Sequence, residues 1–205
     1  MLQVQSKELI AARPFTHPDY ISKDREIMTY MAKQVCVVLE KQFDSLQDDP
    51  SVVINESDGR WHRGFIFRPT NLSKARKVFV VGFFGQKRKI MPGDYFKDLD
   101  DLLVEILPTL DKIFSYSTME LPGGDFSNLV LMSDEEVKSK WMEGDIHKKA
   151  VDLSPGYYQS IRINNGVFPD GILHTDSLQI TRVKYYDYQE NPPWKAIREL
   201  TQQQF

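Results

Sequence analysis

The stretch "KWMEGDIHKKAVDLSPGYYQSIRINNG", residues 140–166, brings Trp141, His147, Tyr157, Tyr158, Arg162, Asn164 and Asn165 into one short span. A neutral imidazole is available near pH 7, so a histidine in such company can accept a proton. An arginine can stabilise negative charge that develops on a bound molecule, while phenol and amide groups orient it. The same residues also suit an ordinary amphipathic helix followed by an ordinary strand. Which reading holds depends on the elements that carry them.

The remaining histidines, His17, His62 and His174, are widely spaced and form no paired metal-ligand pattern. His62 follows a turn and is expected to face solvent. His174 lies in the loop "FPDGILHTDS", from which it could overhang a pocket. The single cysteine, Cys36 in "VCVVL", excludes an internal disulfide and reads as a buried, inert thiol. "ELPGGDF" joins two β-rich runs, so a hairpin turn explains its glycines without a phosphate. No GxSxG motif, and no cysteine paired with a histidine, supports a covalent nucleophile.

Spacing then places the elements. Residues 1–21 carry Pro14 and Pro18 and read as an irregular arm. Ser22 is the expected cap of a long amphipathic helix bearing Ile27, Tyr30, Met31, Val35, Val38 and Leu39, with Asp24 and Glu26 at its positive end. "SVVINESDGRWHRGFIFRP" predicts a hairpin about its Asp-Gly pair. "KVFVVGFFG" predicts a central strand covered on both faces. "KDLDDLLVEILPTLDK" predicts a helix limited by Pro108, and "IFSYSTMEL" and "FSNLVLM" two strands about a turn. "SDEEVKSKWMEGDIHKKAV" predicts a second helix, "YYQSIRINNG" and "LQITRVKYYDY" two more strands, and "NPPWKAIRELTQ" a short closing helix.

From Lys77 to Gly166 the order is strand, helix, strand, strand, helix, strand. That is an α+β, ferredoxin-like βαββαβ unit: an antiparallel sheet with both helices on one face. The chain reads as one domain, with 77–166 as its core and 1–76 and 167–205 as extensions, a helix plus hairpin and a strand plus helix.

Strand side chains alternate between faces. Tyr158, Ser160, Arg162 and Asn164 therefore share one face, as do Phe126, Asn128, Val130 and Met132. The apolar alternates, Ile161, Ile163, Leu129 and Leu131, are expected under the helices. The face left bare then carries Arg162, Tyr158, Asn128, Ser160, Phe126 and Met132, a mixture that suits apolar walls with a few fixed polar groups. On the second helix Trp141, Gly144 and Val151 fall within about 40° of Val137 at ~100° per residue, with His147 at the stripe's edge. Trp141 reads first as packing and His147 as a boundary residue, unless Gly144 and Asp145 break the helix and re-aim it.

Hydrophobic residues at 41%, charged residues at 27% and a net charge of −3 describe a soluble globular chain with no general attraction to nucleic acid. No secretory leader and no apolar run of membrane-spanning length are present, which places the expectation in the cytoplasm.

The element order, with Trp141, Gly144, His147 and Ala150 on the helix before the last strand of the unit, resembles the dimeric α+β barrel superfamily, in its antibiotic-biosynthesis-monooxygenase-like form. The resemblance covers about 90 residues. It implies a sheet that pairs with a second copy, hence a homodimer, and a group that includes cofactor-independent oxygenases of aromatic substrates, haem-degrading proteins and members without known activity. The sequence itself calls for no cofactor and leaves haem open. The resulting expectation is a small apolar or aromatic molecule bound on the bare sheet face. His147 or His174 would accept a proton, Arg162 would stabilise charge, and Tyr158, Asn128, Ser160, Trp141, Phe126 and Met132 would shape the pocket. The competing expectations are a binder without catalysis and an interaction protein that buries this face against a partner.

Overall fold

The computed structural model describes residues 1–89, 95–137 and 144–200, without the side chains of 95–99 and 145–147. Helix α1 spans Asp19–Gln42 and buries Ile21, Asp24, Met28, Met31, Ala32, Val35, Val38 and Leu39, a stripe at helical spacing. It starts three residues before the expected cap, because Pro18 already has helical angles (φ −55°, ψ −31°) and Pro tolerates the first turn. Asp24 is buried rather than set at a solvated helix end.

The strands are β1 (Leu2–Gln3), β2 (Ser51–Val53), β3 (His62–Ile66), β4 (Val78–Lys87), β5 (Ile113–Glu120), β6 (Phe126–Met132), β7 (Tyr158–Phe168), β8 (Gln179–Asp187) and β9 (Trp194–Glu199). Between them lie α2 (Pro69–Lys74), α3 (Tyr95–Ile106) and α4 (Asp145–Tyr157). Among the described residues, the strands join one nine-stranded sheet in the order β1-β9-β8-β7-β4-β6-β5-β3-β2. The stretch β7-β4-β6-β5 has the strand order of the βαββαβ unit predicted from sequence, but the sheet does not stop there. The β2–β3 hairpin, with Gly59 at φ +75° in its loop, extends one side. Strands β8, β9 and β1 extend the other.

One local expectation fails for a physical reason. The closing segment is β9 and not a helix: in "WKAIRE" Ala196 and Arg198 are buried while Lys195 and Glu199 are exposed, a period of two that fits a strand paired with β8. Residues 69–74, which follow the hairpin, form α2 with Pro69 opening its first turn. Of the two readings of the second helix, the recapped one fits α4: Gly144 is extended (φ −67°, ψ 141°) and caps it.

The sheet is covered on both sides. On one side α3 and α4 pack together, over a core that includes Val81, Leu107, Ile113, Val130 and Met132. The other side, expected to be bare, is covered by α1, whose stripe joins Phe84, Leu129, Leu131, Val183, Tyr185 and Ala196. An apolar stripe of this length needs a partner surface, and the uncovered sheet face supplies it. Gly82 makes the close approach feasible, since a Cβ there would lie 2.5 Å from Met28 Sδ. The face that a second copy was expected to meet is therefore occupied by the chain's own helix. Among the described residues no helix is long and apolar enough to cross a membrane.

One ion pair seats α1. Arg162 Nε and Nη2 each donate to Asp24 at 2.8 Å, and Asn164 Nδ2 donates to the same carboxylate at 2.9 Å. Tyr20 stacks 4.2 Å from the guanidinium, and both charged groups are buried. Truncating one partner strands the other charge in a dry site, so Arg162→Ala should cost about 3–5 kcal/mol in urea unfolding. Replacing the pair together, Arg162→Met with Asp24→Leu, should recover most of that loss.

Candidate functional site

Cross-strand register decides which side chains meet under α3 and α4. Phe83 of β4 stands opposite Asn128 of β6, Asn128 opposite Thr118 of β5, and Thr118 opposite Arg63 of β3. Residues two positions away on each strand share that face, which adds Tyr116, Phe126, Val130 and Met132. On β5 the alternation is not readable from sequence, because a register shift between Ile113 and Ser115 puts Ile113 and Tyr116 on the same side.

Strand β7 contains the decisive irregularity. Ser160 pairs with Gln86, yet Tyr158 pairs with Lys87, so Gln159 is an extra residue in the strand. The bulge reverses the alternation: Arg162, Asn164 and Ser160 face α1, whereas Tyr158 faces α3 and α4. There the Tyr158 ring meets Phe83 edge-on, with centroids 5.2 Å apart. It lies across Gly85, where a Cβ would be 2.3 Å from the Tyr158 ring.

A buried polar chain runs along this face. Asn128 Nδ2 donates to Tyr116 Oη at 2.5 Å, and the Tyr116 hydroxyl donates to Asp100 of α3. Arg63 Nε donates to the other Asp100 oxygen at 2.6 Å, and Arg63 also reaches Asp101 at 2.5 Å. Thr118, fully buried between Arg63 and Asn128, has a hydroxyl without a hydrogen-bond partner among the described residues. Half-buried aromatics border the chain. Phe126 meets Trp61 edge-on at 6.2 Å, and the Arg63 guanidinium lies 5.2 Å from both the Trp61 and the Phe65 rings.

Burial sets the electrostatics. Desolvation raises the Asp100 carboxyl above its ordinary value, although the Tyr116 hydrogen bond and the Arg63 charge pull it back. Burial and the neighbouring Asp100 charge hold the Tyr116 phenol well above its usual range, and the same two causes raise Tyr158. Asp100 is thus a carboxylate with increased proton affinity, connected through a phenol to the amide of Asn128. Such a chain can take a proton from a hydroxyl placed beside Tyr116 while Tyr116 passes its own to Asp100.

The residues singled out from sequence separate into groups. Tyr158, Asn128, Phe126 and Met132 share the α3/α4 face. Arg162 and Ser160 do not join them: Arg162 is locked to Asp24, and Ser160 donates to Gln86 Oε1 at 2.5 Å on the α1 face. His174 is exposed in the β7–β8 loop, beyond the end of β7 opposite to Tyr158, so it overhangs none of these groups. Trp141 and the side chain of His147 lie outside the described residues. Val151, placed by helical spacing on the core stripe, is 48% exposed. His62 is buried, not solvent-facing. Cys36 is half-buried with its thiol donating to the Ile172 carbonyl, and burial pushes that thiol up to about 11, in keeping with an inert role. Sequence reading missed Arg63, Asp100, Tyr116 and Thr118; the one available signal was the acidic run Asp98-Leu99-Asp100-Asp101 at the start of an amphipathic helix. Among the described residues no cluster of His, Cys, Asp and Glu is arranged to hold a metal ion.

No family model and no curated protein matches this chain. Among solved structures, the chain is similar to a mutant of SnoaB, a cofactor-independent oxygenase from Streptomyces nogalater. The TM-score is 0.35 with 9% identity, over 46% of this chain and 92% of that one. At that level the likeness carries no weight for chemistry, which rests on the geometry.

Tyr116→Phe leaves Asp100 and Asn128 each one partner short, and should cost about 1–3 kcal/mol in chemical denaturation. Thr118→Val, which removes an unpaired buried hydroxyl at nearly constant shape, should be neutral or stabilising by the same measurement.

Proposed function

We propose that the protein binds a small, largely apolar or aromatic molecule carrying a hydroxyl group against the α3/α4 face of the sheet. The observation that carries this reading is the unpaired, fully buried Thr118 hydroxyl within the Arg63–Asp100–Tyr116–Asn128 chain, bordered by Trp61, Phe83, Phe126 and Tyr158. Aromatic walls supply the affinity, and Asn128, Thr118 and Tyr116 fix the orientation of the hydroxyl. Tyr158 closes the floor over Gly85.

The chemistry open to this site is proton removal. The substrate hydroxyl gives its proton to Tyr116 Oη as the Tyr116 proton moves to Asp100, leaving an electron-rich aromatic anion. Such an anion reduces dioxygen without a metal or flavin when its ring has electrons to give. Oxidation of a ring methylene to a carbonyl consumes one dioxygen and releases one water, so substrate and oxygen balance the reaction between them. This makes a cofactor-independent oxygenase the catalytic form of the proposal.

A specific contact favours a second form, binding without turnover. Arg63 already occupies one Asp100 oxygen and Tyr116 the other, contacts that oppose proton uptake by the carboxylate. One experiment separates the two. Quenching of tryptophan fluorescence by naphthols and hydroxyanthrones measures binding, and an oxygen electrode measures turnover of the same compounds. Both forms require binding that Asn128→Leu weakens by about tenfold or more, equivalent to ~1.4 kcal/mol. The oxygenase additionally requires oxygen uptake that Asp100→Asn abolishes while binding persists. Saturable binding unaffected by Asn128→Leu would remove the site altogether.

A further inference from the structure

A second buried polar cluster lies on the opposite face of the same strand that supplies Arg63. His62, adjacent in β3, points toward α1 and is 1% exposed. Its Nδ1 lies 2.6 Å from Glu56 Oε1 in the β2–β3 loop, and the other Glu56 oxygen accepts the Tyr30 hydroxyl of α1 at 2.7 Å. Tyr30 also flanks the imidazole, with ring centroids 6.4 Å apart. His62 Nε2 is buried and has no hydrogen-bond partner among the described residues.

That arrangement suits one protonation state. With Nδ1–H donating to the Glu56 carboxylate, the imidazole is neutral and Nε2 carries only a lone pair. Adding a proton at Nε2 creates a donor and a full charge where no acceptor waits. Three charged or titratable groups face the ring: Glu56 and Arg60 from the loop and Tyr30 from α1. Glu56 favours the imidazolium and Arg60 opposes it, but burial outweighs both and lowers the His62 proton affinity.

The loop held by this cluster ends at Trp61, a wall of the proposed site. Arg60 donates from its guanidinium to the Glu120 carbonyl at 3.0 Å, and the Trp61 carbonyl accepts the Glu120 N–H at 2.8 Å. Glu56 is the contact that ties the middle of the loop to α1 and β3.

We propose that His62 is a protonation switch: taking up a proton in mild acid, it releases the 54–61 loop from α1 and loosens Trp61 at the edge of the ligand site. The regulatory consequence rests on the site proposed above; the switch itself does not. A histidine with lowered proton affinity when folded stabilises the closed loop fully above its unfolded pKa of about 6.5, and that stabilisation is lost as the pH falls below it.

The test uses the full chain and needs no ligand. The indole N–H resonance of Trp61, assigned with Trp61→Phe, is followed by NMR from pH 8 to pH 5 beside the His62 ring protons. The two should titrate together, with amide exchange in 55–61 rising by about tenfold for each pH unit through the transition, after correction for intrinsic rates. His62→Gln, which keeps a donor for Glu56 but cannot ionise, should hold the Trp61 resonance constant. Glu56→Gln removes the group that favours the imidazolium and should move the midpoint to lower pH. A Trp61 response that persists in His62→Gln, or a His62 titration that Trp61 does not follow, would overturn the switch. Naphthol affinity compared at the two ends of the range reads the site separately: absence of binding at either pH counts against the site and leaves the Trp61 result standing.

Discussion

Arg162 and Asp24 come from positions far apart in the chain and meet beneath α1 through two hydrogen bonds of 2.8 Å. Isolated in that dry layer, either charge would be strongly unfavourable, so the helix and the sheet must meet in the one register that pairs them. The neighbouring contacts obey the same requirement. Met28 enters the space above Gly82, Asn164 completes the carboxylate's hydrogen bonds, and Tyr20 covers the guanidinium.

The amino-terminal arm is fastened by the same logic. Arg198 of β9 is buried and donates to the carbonyls of Ser6, Glu8 and Thr16, while Arg13 lies 4.4 Å from the Trp194 ring. Arg13 also pairs with the carboxylates of Asp187 and Glu190, so both cations are engaged within the fold. The result is a division of labour across the sheet. Its α1 side carries the ion pair that seats the helix, and its α3/α4 side carries the Arg63–Asp100–Tyr116–Asn128 chain beside the unpaired Thr118 hydroxyl.

Strand β3 connects the two sides. Successive residues of a strand point in opposite directions, so His62 belongs to the α1 layer while Arg63 belongs to the Asp100 chain. Trp61, one residue earlier, borders the second layer from the end of the loop that Glu56 ties down. A change of charge on one face therefore has a short covalent route to the aromatic border of the other.

The sequence alone determined the strand and helix order between Lys77 and Gly166, the hairpin about Gly59, the long amphipathic α1 and the alternation within β6. Each rests on spacing within one element, which is local information. Which alternating set faces which helix was decided only in three dimensions. The extra residue at Gln159 reverses β7, and the shift near Phe114 reverses part of β5, so Tyr158 parts from Arg162 and joins Asn128. Likewise the Asp100–Tyr116–Arg63 chain and the Asp24–Arg162 pair depend on groups remote in sequence, and β9 replaces an expected helix because β8 offers it a partner. Period and capping are properties of neighbours along the chain; register, bulges and buried charge pairing arise between segments, where a single strand's pattern carries no information.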